Sequence, residues 1–154
     1  VVTDVNPYRL ELARKLGATR TVNVATESLD EVKRELGMKE GFDVALEMSG
    51  HPSGLHDILE HSSNGAKVSL LGIFPDKAAI DWDKVIFKGL ILKGIYGREM
   101  FETWYLMNSM LHSSDVFRER VKSVITHKFA AEDWEEAFAT ARAGKCGKVI
   151  LDWS

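Results

Sequence analysis

Asp4 ends the short apolar run Val1, Val2 and Thr3, and it stands just before Asn6 and Pro7, which supply a helix cap and a preset first helical position. An acid in that place can accept hydrogen bonds from the hydroxyls of a ribose, or it can simply close the turn into the helix. Spacing alone leaves both open. Arg9 is likewise either a companion of that acid or a solvated helix residue. Ligands of open α/β sheets lie outside the carboxyl ends of strands, which draws attention to three further places. Leu71, Gly72 and Ile73 close one apolar run, Ile95, Tyr96 and Gly97 close a second, and Glu47, Ser49 and Gly50 close a third. A glycine such as Gly72 lets backbone approach a flat ring, but it can equally do no more than end a strand.

Other chemistries find less footing. His51, His56 and His61 are spaced by five, which on a helix separates neighbours by roughly 140° and denies them a common face. His112 and His127 are isolated, so capping or surface roles are expected and no metal is assigned to this chain. There is no nucleophile elbow, and Glu99 with Glu102 reads as a solvated helix face. Cys146 is the single cysteine, which excludes an internal disulfide and suits a reducing compartment. Trp82, Trp104, Trp134 and Trp153 are expected as core and interface anchors.

The elements that must position these residues alternate. After 1–3 as a strand, a helix starts at Asn6-Pro7, carries Leu10, Ala13 and Leu16 at helical spacing, and stops at Gly17. A β-branched strand follows over 19–24. Ser28 and Glu31 form a capping box ahead of Leu29, Val32 and Leu36. Strands are predicted at 42–48, 66–73 and 90–96, with helices at 52–61, 82–87 and 100–111 and a turn at Asn64-Gly65. The tail reads as strand 124–129, helix 132–143 and strand 148–153. Such alternation predicts parallel strands with helical crossovers, an α/β doubly wound (Rossmann-type) architecture. Only three residues precede Asp4, so the first strand and the glycine-rich phosphate loop of such a sheet have no room upstream; the expected sheet is partial and lacks its first strand.

Composition sets the outer bounds. The 154 residues suit one globular unit, and 45% hydrophobic with 28% charged residues is ordinary for a soluble domain. Twenty Lys and Arg against 23 Asp and Glu leave a net charge of −3, which gives no footprint for nucleic acid or an anionic membrane. The longest apolar stretches are interrupted by Lys88, Gly89 and Lys93, far short of the roughly 20 residues needed to span a bilayer. A cytoplasmic location is expected. Val1 lies inside an apolar run, so the start reads as a cut edge.

The strings VTDVNPYRLELARKLGA, FDVALEMSG, DWDKVIFKGLILKGIYGREMFETWY and GKVILDW closely resemble the zinc-dependent L-threonine 3-dehydrogenases, which are medium-chain dehydrogenases. The likeness runs the whole chain and is most specific around Tyr96 to Trp104. It implies oxidation of L-threonine to 2-amino-3-ketobutyrate in threonine catabolism, with a hydride passed to NAD while a catalytic zinc polarises the alcohol. By position, Asp4 and Arg9 match the pair that holds the adenosine ribose. A carboxylate there repels a 2′-phosphate and so favours NAD over NADP. Leu71, Gly72, Ile73, Ile95 and Tyr96 match the nicotinamide-side contacts.

The family's N-terminal catalytic domain and its zinc ligands have no counterpart in this chain, so catalytic residues are expected elsewhere and the chain alone is expected to be a catalytically incomplete fragment. The resemblance divides the chain into an incomplete NAD-binding domain, 1–123, and a segment, 124–154, that returns to the catalytic domain, where strand 148–153 would find its partner. It also implies a homo-oligomer, and the absent first strand predicts self-association through exposed edges. Two other readings remain: a nonenzymatic Rossmann-type interaction module, and a methyltransferase, whose fold also sets an acid after its second strand to hold a ribose. Binding of NAD without zinc, or tighter binding of S-adenosylmethionine, separates them.

Overall fold

A computed structural model describes residues 1–97 and 99–154. Seven strands and seven α-helices are found among the described residues: β1 (Val2–Asp4), α1 (Pro7–Lys15), β2 (Thr21–Asn23), α2 (Leu29–Glu35), β3 (Phe42–Glu47), α3 (Pro52–His61), β4 (Ser62–Leu70), α4 (Trp82–Phe87), β5 (Ile91–Gly94), α5 (Glu102–Ser113), α6 (Asp115–Ser123), β6 (Ile125–Ala130), α7 (Trp134–Arg142) and β7 (Lys148–Asp152). Every strand pairing is parallel, in three ladders ordered β1-β2, β3-β4-β5 and β6-β7. This is the expected α/β alternation, since parallel neighbours need a crossover long enough to hold a helix.

The chain divides into two compact units. One comprises 1–27 with 100–154, and the other comprises 28–99. In the first, Asn6 starts α1 as the spacing predicts: its Oδ1 accepts from the Tyr8 amide at 2.9 Å while its Nδ2 donates to the Gly144 carbonyl at 2.8 Å. Leu10, Val22, Ala137 and Cys146 are its buried apolar residues. In the second, Leu55 and Leu59 of α3 close on Ala66 of β4 and Leu90, with Leu70, Phe74, Ala78, Ile80, Val85 and Leu92 packed around them. Lys88 fastens the C-terminal end of α3, its Nζ donating to the carbonyls of Leu59 (2.8 Å), Glu60 (2.7 Å) and Ser62 (3.1 Å). A cation at that end also complements the helix dipole.

Several expectations are corrected. Ser28 stands at the N-cap of α2, but its hydroxyl makes no capping bond. Glu31 pairs instead with Arg34 at 3.9 Å, pointing along the helix surface and away from the cap. Asn64-Gly65 does not end a segment: β4 runs through it as an irregularity, with the register slipping between Phe42↔Ser62 and Val44↔Lys67 and Gly65 at φ +75°. The strand expected over 66–73 stops at Leu70 because Leu71 and Gly72 both turn their amides onto the Glu47 carbonyl, at 2.9 and 3.0 Å. β7 finds its partner within the chain, pairing in parallel with β6. The four tryptophans are no part of the core, with exposures from 45% to 83%. Trp104 instead meets Phe101, the N-cap residue of α5, edge-on, and Trp134 meets Phe138 edge-on along α7. On β3, Val44 and Leu46 are 64% and 59% exposed, and β4 is the one strand paired with it among the described residues.

Candidate functional site

In the first unit, β1 delivers Asp4 at its carboxyl end. Asp4 Oδ1 accepts from the Asn6 amide at 2.8 Å, so one carboxylate oxygen closes the turn into α1. Oδ2 faces the Arg9 guanidinium at 3.8 Å, with the Asp4 side chain 26% exposed and that of Arg9 58% exposed. The two oxygens therefore face different partners, one the turn amide and the other the Arg9 guanidinium. The oxygen beside Arg9 keeps acceptor capacity for a hydroxyl. Nearby, Glu27 accepts from the Asn23 amide and from Arg20, and these two donors hold its carboxyl below the usual range.

In the second unit, the carboxyl ends of β3, β4 and β5 are tied together by backbone. The Ile95 amide donates to the Leu70 carbonyl at 2.8 Å, continuing the β4-β5 ladder by one bond. Gly72 sits where nothing larger fits: a Cβ there would lie 2.1 Å from Glu47 Oε2 and 2.2 Å from the Gly50 amide nitrogen. Gly50 returns the requirement, since it adopts φ +66° and a Cβ on it would lie 2.4 Å from the Ile73 carbonyl oxygen. The two turns thus run backbone against backbone. Around them Leu71 is 43%, Ile73 82% and Tyr96 96% exposed, a set of apolar and aromatic side chains at the surface. Ile95 is half-buried.

Glu47 is the residue whose role the sequence left open. Its side chain is 2% exposed, and it accepts from the Ser49 amide at 2.9 Å, the Ser49 hydroxyl at 2.5 Å and the Gly50 amide at 3.1 Å. The one available signal was an acid closing a mostly apolar strand run, two residues before Ser49-Gly50.

Three of the five histidines take structural places. His51 caps α3, its Nδ1 accepting from the Ser53 amide at 3.3 Å. His127 stacks on Phe129. His61 is largely buried with Nδ1 unpartnered, 3.5 Å from Asp30 Oδ1, and burial lowers its pKa. No three His, Cys, Asp or Glu side chains come together as a metal-binding group among the described residues. No helix among them is long and apolar enough to cross a membrane.

Comparison with known proteins adds ancestry to this geometry. The zinc-binding dehydrogenase family pattern matches residues 1–113. L-threonine 3-dehydrogenases from Burkholderia cenocepacia and Paraburkholderia phymatum are each 60% identical over all 154 residues, and the chain spans 44% of the length of each. Among solved structures, an Escherichia coli oxidoreductase of unknown specificity superposes with a TM-score of 0.84 at 26% identity, covering 99% of this chain and 43% of that one. A Thermotoga maritima alcohol dehydrogenase gives 0.82 at 22% identity, covering 98% and 42%. An E. coli alcohol dehydrogenase complexed with NADH gives 0.80 at 21% identity, covering 99% and 44%. These last two show a shared fold. The fold is therefore a partial Rossmann-type sheet, and the methyltransferase reading is set aside. With the family pattern covering most of its length and both turns of the second unit built to bring backbone to a strand-end surface, the chain belongs to the zinc-binding dehydrogenase family.

Proposed function

We propose that this chain is the cofactor-binding part of an NAD-dependent L-threonine 3-dehydrogenase, which converts L-threonine and NAD to 2-amino-3-ketobutyrate and NADH. The observation that carries the reading is the divided Asp4 carboxylate, with one oxygen spent on the turn and the other beside Arg9 at the carboxyl end of β1. Identity of 60% across the whole chain to proteins named L-threonine 3-dehydrogenase supports the substrate. Residues 1–123 form the NAD-binding portion and 124–154 the segment that meets the remainder of the protein. The working protein is a cytoplasmic homo-oligomer.

NAD, when bound, supplies the hydride acceptor. Asp4 accepts from the ribose hydroxyls and repels a 2′-phosphate at the same place, which selects NAD over NADP. Backbone groups of Leu71, Gly72 and Ile73, with Ile95 and Tyr96, fix the carboxamide and present one ring face. Gly50 and Gly72 are shaped for that task, because a methyl group on either would meet backbone. Zinc does not fit the described residues of this chain, which bring no donor set together, so no step here runs through it.

The test is cofactor reduction by the full-length zinc-loaded protein. NADH formation with L-threonine, and little with NADP, is expected. Turnover of other secondary alcohols but not threonine contradicts the substrate, and absence of binding by either dinucleotide contradicts the whole reading.

A further inference from the structure

Glu47 is a buried ionisable group that the proposed function leaves unused. Its partners act as donors: the Ser49 and Gly50 amides can only donate, and the Ser49 hydroxyl, which already accepts from the His51 amide at 3.0 Å, lies 2.5 Å from Oε1. That length is typical of a hydroxyl held by an ionised carboxylate. The Gly50 amide also reaches Oε2, at 3.3 Å. No lysine or arginine pairs with Glu47 among the described residues, and the first turn of α3 closes over it, a Cβ on Gly54 lying 3.4 Å from Oε1. The positive end of a ten-residue helix and three N–H or O–H donors therefore stand in for a counter-cation.

The charge also has a definite address. Glu47 ends β3, its carbonyl holds the Leu71 and Gly72 amides, and its Oε2 lies where a Gly72 Cβ would be. A buried negative charge, paired with no lysine or arginine among the described residues, thus sits directly against the backbone of 71–73, separated from its outer surface by a residue with no side chain.

We infer that Glu47 is a positioning residue that makes this surface prefer the oxidised cofactor, because its carboxylate attracts a cationic nicotinamide ring and gains nothing from the neutral dihydronicotinamide. The inference rests on the proposed placement of the ring on 71–73. Glu47 touches no reacting atom in this arrangement and acts through the field it sets there and through the turn it holds.

Dissociation constants for NAD+ and NADH, measured on the full-length protein and on Glu47→Gln and Glu47→Asp, test it. Glu47→Gln keeps the shape and an acceptor for Ser49 and Gly50 but removes the charge, so the preference for NAD+ relative to NADH should fall about tenfold. Glu47→Asp keeps the charge and should hold that ratio within about threefold, even where both affinities drop. Equal losses for the two cofactors in Glu47→Gln overturn the inference, as a purely structural carboxylate would behave that way. A Glu47→Gln protein that fails to fold overturns it too, since shape and acceptor are retained. If the wild-type protein binds neither cofactor, the ring placement itself fails, which is a different result from intact binding with an unmoved ratio.

Discussion

Replacing Gly72 by alanine places a methyl carbon 2.1 Å from Glu47 Oε2, 2.2 Å from the Gly50 amide nitrogen and 2.8 Å from the Gly50 Cα. Non-bonded carbon contacts settle near 3.5–4 Å, so something must move by about 1.5 Å. If the Glu47 side chain swings away, it gives up its bonds to Ser49 and Gly50, which contribute about 1 kcal/mol each, and its carboxylate must find other partners. If the 49–50 turn moves instead, it carries the Ile73 backbone with it, because the two turns are in contact. Added to an overpacking cost of about 1–3 kcal/mol, loss of the three bonds gives about 4–6 kcal/mol for the first route, and the second costs at least the overpacking. Urea unfolding of the full-length protein measures the loss, and NAD titration should show weakened binding in the folded fraction. Gly94→Ala is the control: that glycine has no positive φ and nothing within 4 Å of an added Cβ, so its effect on stability should stay within about 0.5 kcal/mol. A Gly72→Ala protein with an unchanged midpoint and unchanged NAD affinity would refute the close-packed picture of these turns.

Asn6→Ala removes both the α1 cap and the bond to Gly144, and a loss of about 1–2 kcal/mol is expected in chemical unfolding. Lys88→Met strips three carbonyls at the end of α3 of their donor and should cost about 1–3 kcal/mol, with hydrogen exchange rising first at 59–62. His61 gives a pH dependence. Burial and then Lys33 lower its pKa against the opposing pull of Asp30, Asp57 and Glu60, so the unfolded chain takes up the proton first. Its contribution to stability is therefore complete above the ordinary value of 6.5 and is lost as pH falls from there toward the depressed folded value. His61→Leu should flatten that acid slope in thermal unfolding, and an unaltered slope would assign it to other groups.

Local signals carried far along this chain. Asn6-Pro7 marked the start of α1, the apolar run from Phe42 marked β3, and both elements lie where those residues put them. Ser114, by contrast, caps α6 through the Phe117 amide at 3.2 Å, a helix whose polar composition hid it in the sequence. The pairing of β7 with β6 and the passage of β4 through Asn64-Gly65 are set by contacts distant in sequence, which no local pattern encodes. The same holds at the candidate site. Asp4 and Arg9 lie near each other because Asn6-Pro7 puts both at one strand-helix junction, a local relation the sequence carries. The burial of Glu47 was not, because it depends on Gly72, twenty-five positions on, passing against its carboxylate.

Dinucleotide selectivity tests the central claim most directly. Titration calorimetry of the full-length protein with NAD and with NADP, repeated on Asp4→Ala, should show NAD bound more tightly by the wild type. In the variant, NAD should weaken by about 1–3 kcal/mol, as for loss of a charge-assisted hydrogen bond, and the gap to NADP should narrow. An unchanged ratio between the two dinucleotides in Asp4→Ala would mean that this carboxylate does no more than close the turn to Asn6, and the cofactor assignment would lose the observation on which it stands.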